Sequence, residues 1–163
     1  MKHIEKSILV KAPLSLAYEQ WTQFEAFPLF MPDILHVREL DDETVIWRVE
    51  LWGQQLEWES KICDLIPNSF IAWRSTAGAE HSGAVTFDAL DRDTTKVTII
   101  LDYQPHGFME FAGHSLGAVD YGIKNALSSF SRFTEARSNP TGRRGRTYEN
   151  LDMNPTFHSS LIG

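Results

Sequence analysis

The sequence predicts an α+β fold: a strongly curved, seven-stranded antiparallel sheet wrapped around one long C-terminal helix, with two short helices after the first strand. Three observations predict it. From Ile34 to Tyr103, apolar residues recur at every second position in short runs, the period of half-buried strands. From about Phe108 to Arg137 they recur every three or four positions, the period of an amphipathic helix. Seven strands are also more than one helix can cover on a flat sheet, so the sheet must curl.

The elements follow in order. His3–Lys11 reads as the first strand, with Ile4, Ile8 and Val10 on one face and Ala12-Pro13 ending it. Ser15 is a candidate N-cap for a short helix from Leu16 to about Gln23. The segment Phe24–Pro32 holds three Phe and two Pro, so it reads as a short helical turn or two. Strands follow at Ile34–Leu40, Val45–Trp52, Gln55–Leu65, Phe70–Ser75, Ser82–Leu90 and Thr94–Tyr103, separated by turns such as Trp52-Gly53-Gln54 and Asp91-Arg92-Asp93. Alternation places Trp47, Trp58, Trp73, Phe87 and Tyr103 on the inner faces, and Arg48, Glu57, Glu59, Arg74 and Lys96 toward solvent. The final helix spans about residues 109–136, with Ala112, Leu116, Val119, Ile123, Ala126, Leu127, Phe130 and Phe133 on its core stripe. Ser138-Asn139-Pro140-Thr141-Gly142 stops it. The domain therefore covers 1–138, and 139–163 reads as an extended or disordered tail.

Composition narrows the function. The 163 residues carry a net charge of −7, which argues against the basic face of a nucleic-acid binder. The four arginines of residues 137–163, against two acidic residues, read as a solvated tail. The lone Cys63 cannot form an internal disulfide, so a reducing cytoplasm is the expected location. Met1–Lys11 reads as a strand rather than a signal peptide, and no integral membrane segment is expected; transient contact with a membrane surface remains compatible with the pattern. None of the six histidines pairs at i,i+4 with another, there is no Cys pair, and no phosphate-loop glycine pattern follows a strand, so neither a metal nor another cofactor is expected.

The inner aromatic wall, the helix glycines Gly113, Gly117 and Gly122, and the aromatic segment at Phe24–Met31 together predict a container for an apolar small molecule. Its predicted wall is Phe30, Met31, Trp47, Trp58, Ser60, Trp73, Ser75, Phe87, Tyr103, Met109, Leu116 and Gly117. No catalytic set is recognisable; Ser60 and Tyr103 are the candidates for proton chemistry. The alternative for the aromatics is that they simply fill the core.

The blocks SILVKAPLSLAYEQWTQFEAFPLFM, LEWESKICDLIPNSFIAWRS, GAVTFDAL and TTKVTIILDYQPHG, closing with SSFSRFTEAR, resemble the polyketide cyclase/dehydrase branch of the START and birch-pollen-allergen superfamily, within a bacterial subgroup. The segment FPLFMP is similar to one in coenzyme-Q-binding START proteins. The resemblance covers about residues 3–137 and implies the helix-grip fold. Related aromatase/cyclases carry Trp, Ser and Arg at alternating positions of the fourth strand; here Trp58 and Ser60 match and Ile62 replaces the Arg. An apolar side chain cannot stabilise developing negative charge. The expected function is therefore binding of a lipid, isoprenoid quinone or polyketide-like aromatic without catalysis. The alternatives are a polyketide cyclase/dehydrase, and a regulatory or stress-related interaction module with a vestigial cavity.

Overall fold

A computed structural model describes residues 1–51, 53–104, 117–137 and 139–141. Strand β1 (Lys2–Val10) leads into helix α1 (Leu14–Trp21) and a 3-10 helix (Phe24–Leu29). Six strands follow: β2 (Ile34–Glu39), β3 (Thr44–Leu51), β4 (Gln54–Ile66), β5 (Phe70–Gly78), β6 (His81–Asp91) and β7 (Thr94–Tyr103). Helix α2 (Gly117–Glu135) comes last. The strands form one antiparallel sheet in the order β1-β7-β6-β5-β4-β3-β2. Six consecutive strands thus meander, and β1 closes the sheet beside β7. Two register shifts in β4, at Glu59/Ser60 and Ile62/Asp64, supply the kind of irregularity that bends and twists a strand.

The predicted strands and short helices are found with shifts of a few residues at their ends, and the final helix is found over Gly117–Glu135; its predicted first part, residues 109–116, lies outside the described residues. Ser15 is not the N-cap of α1. The helix begins at Leu14, and Pro13, at φ −60° and ψ 152°, holds the cap position without a side-chain hydrogen bond. The 3-10 geometry at Phe24–Leu29 accommodates Pro28 inside the turn.

Helix α2 crosses the concave face of the sheet. Its C-terminal half is packed tightly: Leu127 and Phe130 are buried, and Phe130 meets the Trp21 ring edge-on at 4.8 Å. The Glu135 carboxylate accepts the backbone N–H of Lys11 at 3.0 Å and the Ser131 hydroxyl at 2.9 Å, fixing this end of the helix to the end of β1.

The chain just beyond α2 is tied down by one buried carboxamide. Gln20 donates from Nε2 to the Thr141 hydroxyl at 3.0 Å and accepts the Thr141 backbone N–H at its Oε1 at 2.8 Å. Both residues are buried. The predicted tail thus begins with a docked residue at Thr141; residues 142–163 lie outside the described residues. Gln20→Ala leaves a buried N–H and hydroxyl without these partners, so it is expected to cost about 2 kcal/mol. Urea unfolding checks this: the midpoint should fall while the slope stays constant.

Candidate ligand cavity

The inner tryptophans show where packing stops. Trp47, Trp58 and Trp73 share strand faces with Val45, Val49, Leu56, Ile62 and Ile71, all of which are buried. Yet the three indoles are only half-buried. All three border an open space. That space is a cavity of about 260 Å3 between the sheet and the Val119–Ser129 stretch of α2. From the sheet it is lined by Val45, Trp47 and Val49 of β3, Trp58, Ser60 and Ile62 of β4, Ile71 and Trp73 of β5, His81 of β6, and Ile99 and Leu101 of β7. Val119, Gly122, Ile123, Asn125, Ala126 and Ser129 of α2 line the opposite side. Trp21, Phe24, Phe27 and Met31–Ile34 close one flank.

Each indole is held in place. Trp47 and Trp58, partners across β3 and β4, stack with ring centroids 6.3 Å apart and planes 16° from parallel. Phe24 and Phe27 meet Trp47 edge-on at 6.1 and 5.5 Å. The Trp47 indole N–H donates to the Ser60 hydroxyl at 3.1 Å, and that hydroxyl donates to the Val45 carbonyl at 3.4 Å. The Ser60 proton therefore points at the backbone, and its oxygen orients Trp47. Trp73 lies across Gly83 on the neighbouring strand; a Cβ there would stand 2.8 Å from its Cζ2.

The sequence reading placed Met31, Trp47, Trp58, Ser60 and Trp73 on this wall, and the structure brings them together there. Four other candidates lie elsewhere. Phe30 stacks on Phe133 at 4.4 Å and joins the 3-10 helix to α2. Phe87 packs beneath α1 against Tyr18 and Trp21. Ser75 accepts the backbone N–H of His81 at 3.0 Å, so it shapes the β5–β6 turn. Tyr103 is buried, opposite His81 in the β6–β7 ladder. Burial raises its phenol pKa, and the Asp120 carboxylate adds to the rise. Gly117 is the first described residue of α2; Met109 and Leu116 lie outside the described residues.

His81, which the sequence reading placed in a loop, belongs to the wall. Its Nδ1 lies 2.8 Å from the Ala79 carbonyl oxygen. A carbonyl can only accept, so Nδ1 carries the proton and Nε2 the lone pair. The Trp58 indole meets the imidazole edge-on at 5.2 Å. Burial lowers the His81 pKa from the ordinary 6.5, against the opposing effect of the Ala79 bond. The neutral ring favours the fold. As pH falls below about 6.5 the unfolded chain takes up a proton that folded His81 resists, so this contribution is lost on acidification through the folded pKa. The unfolding free energy should fall more steeply from pH 7 to pH 5 in the native protein than in His81→Phe. The difference is limited to about 1.4 kcal/mol per pH unit, and urea titrations at stepped pH measure it.

Comparison with known proteins places this architecture. Residues 10–130 match the family described as polyketide cyclase / dehydrase and lipid transport. The chain belongs to that family. It is 38% identical over 143 residues to the uncharacterised 17.2 kDa protein of the melC2-rnhH intergenic region of Streptomyces lincolnensis, covering 87% of this chain and 95% of that protein. Among solved structures, a Deinococcus radiodurans protein superposes with a TM-score of 0.64 at 26% identity, covering 83% of this chain and 98% of that one. The Zhui aromatase/cyclase of Streptomyces sp. R1128 reaches 0.72 at 21% identity, covering 84% and 96%. A START superfamily protein of Mycobacterium smegmatis reaches 0.71 at 16%, covering 82% and 97%. The last two share the helix-grip fold with this chain. Folds of this kind host sites of many chemistries, so function has to be argued from the cavity itself. Among the described residues no cluster of side chains could hold a metal ion, and no helix is long and apolar enough to cross a membrane.

Proposed function

We propose that the protein binds a compact apolar molecule between sheet and helix and does not transform it. The observation that carries this reading is the set of three inward indoles left half-buried around open space. Covering such a wall is favourable at roughly 25 cal/mol per Å2 of apolar surface. At about 260 Å3 the cavity lies below the usual ~300–1,000 Å3 of small-molecule pockets, which favours a compact guest over a long-chain lipid. Ile62 supports the non-catalytic half, because it puts an alkyl group where the related aromatase/cyclases carry a guanidinium. Ser60, tied to Trp47 and Val45, supports it as well. Open space of this size speaks against a vestigial cavity.

Calorimetric titration with 2-methoxynaphthalene tests the binding claim, with palmitate as the long-chain comparison. Saturable one-to-one binding of the naphthalene is expected, and absence of binding would contradict the reading. A second reading, a dehydrase acting on a polyketide-like substrate, is favoured by one observation. His81 and Tyr103 face each other across β6 and β7, one held neutral and the other held protonated. Turnover of a β-hydroxy ketone that disappears in both His81→Phe and Tyr103→Phe would establish it.

A further inference from the structure

We infer that the mouth of the cavity sets the charge of the guest: the Asp33 carboxylate receives a protonated amine, so the ligand is a compact apolar body ending in an ammonium group rather than in a carboxylate or phosphate. The inference rests on the proposed binding function and adds a specificity to it.

Exposure along the wall locates the mouth. Of the described lining residues, Pro32, Asp33 and Asn125 alone are exposed. The opening therefore lies between the chain entering β2 and the middle of α2. Charge along the wall is equally uneven. Among the described lining residues Asp33 is the one acidic side chain, and no lysine or arginine accompanies it. Burial disfavours the charged form of His81. The Asp33 carboxylate enters no ion pair among the described residues. Its backbone carbonyl accepts the Glu50 N–H at 2.7 Å, which pins this lip of the mouth to β3. On the other lip, the Asn125 carboxamide oxygen is a second acceptor. Behind the mouth the wall is mainly indole, phenyl and alkyl, where an ionic group would lose its hydration without compensation. A charged end of the guest therefore stays at the mouth, beside one fixed negative charge. That charge attracts an ammonium and repels a carboxylate or phosphate.

Three probes with one naphthalene body separate this from simple apolar binding: neutral 2-methoxynaphthalene, cationic 2-naphthylmethylamine and anionic 2-naphthoate. Calorimetric titration of the native protein should show the amine binding more tightly than the carboxylate. In Asp33→Asn, which keeps the backbone bond to Glu50, the ratio of the two affinities should fall about tenfold, from about threefold for the lost attraction and about threefold for the lost repulsion at an exposed charge. The affinity for the ether should stay unchanged. The whole chain is acidic, at −7, so Asp88→Asn is the control. Asp88 is exposed on β6 opposite Lys96, away from the cavity wall, and its loss removes the same formal charge. There the ratio should hold. A native protein that prefers the carboxylate, a ratio that survives in Asp33→Asn, or an equal fall in both variants would overturn the inference; with the ether still bound, the binding function stands. If none of the three probes binds the native protein, the proposed function and the inference fail together. A second measurement needs no variant. The amine-to-carboxylate ratio should shrink as salt rises from about 10 mM to about 1 M and the Debye length drops from about 30 Å to about 3 Å. A ratio indifferent to salt overturns the inference.

Discussion

Gly122→Leu is expected to abolish ligand binding, lowering affinity for 2-methoxynaphthalene at least 100-fold, while the protein stays folded. Gly122 lies on α2 at the cavity wall, and a Cβ built on it meets nothing within 4 Å. A leucine there projects into the space the ligand needs. Stability should hold or rise, because leucine is the better helix former by up to ~1 kcal/mol and the new side chain buries apolar surface against Trp47, Trp58 or Trp73. Calorimetry and a thermal melt on the same sample read both effects. Lost binding with a lower melting temperature would mean instead that the helix cannot keep its place over the sheet.

Gly83→Ala should act in the opposite way, damaging the fold and the cavity together. Its Cβ would lie 2.5 Å from the Ile100 carbonyl oxygen and 2.8 Å from Trp73 Cζ2. The carbonyl is backbone in the neighbouring strand and cannot swing aside, so β6 must shift or Trp73 must leave. Overpacking of this kind costs typically ~1–3 kcal/mol, and contact with fixed backbone puts this case at or above the upper end. The denaturation midpoint should drop markedly. Probe binding should weaken as well, because the displaced indole enters the cavity. Gly83 and Gly122 thus separate two uses of glycine: one permits close approach, the other leaves room.

How far the sequence speaks for itself can be judged from particular residues. The alternating runs identify the strands and their faces, because a one-residue slip would have exposed Val45, Val49 and Ile71, all of which are buried. Alternation does not say what covers each stretch of an inner face. Phe87 and Trp73 have the same parity, but α1 seals Phe87 while Trp73 borders open space. That difference depends on where the helices land on a curved sheet, a long-range property with no local signal. His81 was legible: counting back two residues from Gly83 along the inner face of β6 reaches it, but the strand was begun one residue late. Gly122 was legible too, three residues after Val119 and one before Ile123 on the apolar stripe. The ties from Gln20 to Thr141 and from Trp47 to Ser60 join residues 121 and 13 apart and leave no pattern in the sequence.

The central claim is that a compact apolar molecule sits against the three inward indoles. The most direct test is two-dimensional 15N NMR of the native protein titrated with 2-methoxynaphthalene. Saturable shifts of the Trp47, Trp58 and Trp73 indole N–H signals and of the Gly122 amide are expected, with His36, Arg38 and Arg48 on the outer sheet face unmoved. Shifts confined to that outer face, or none at all, would contradict it.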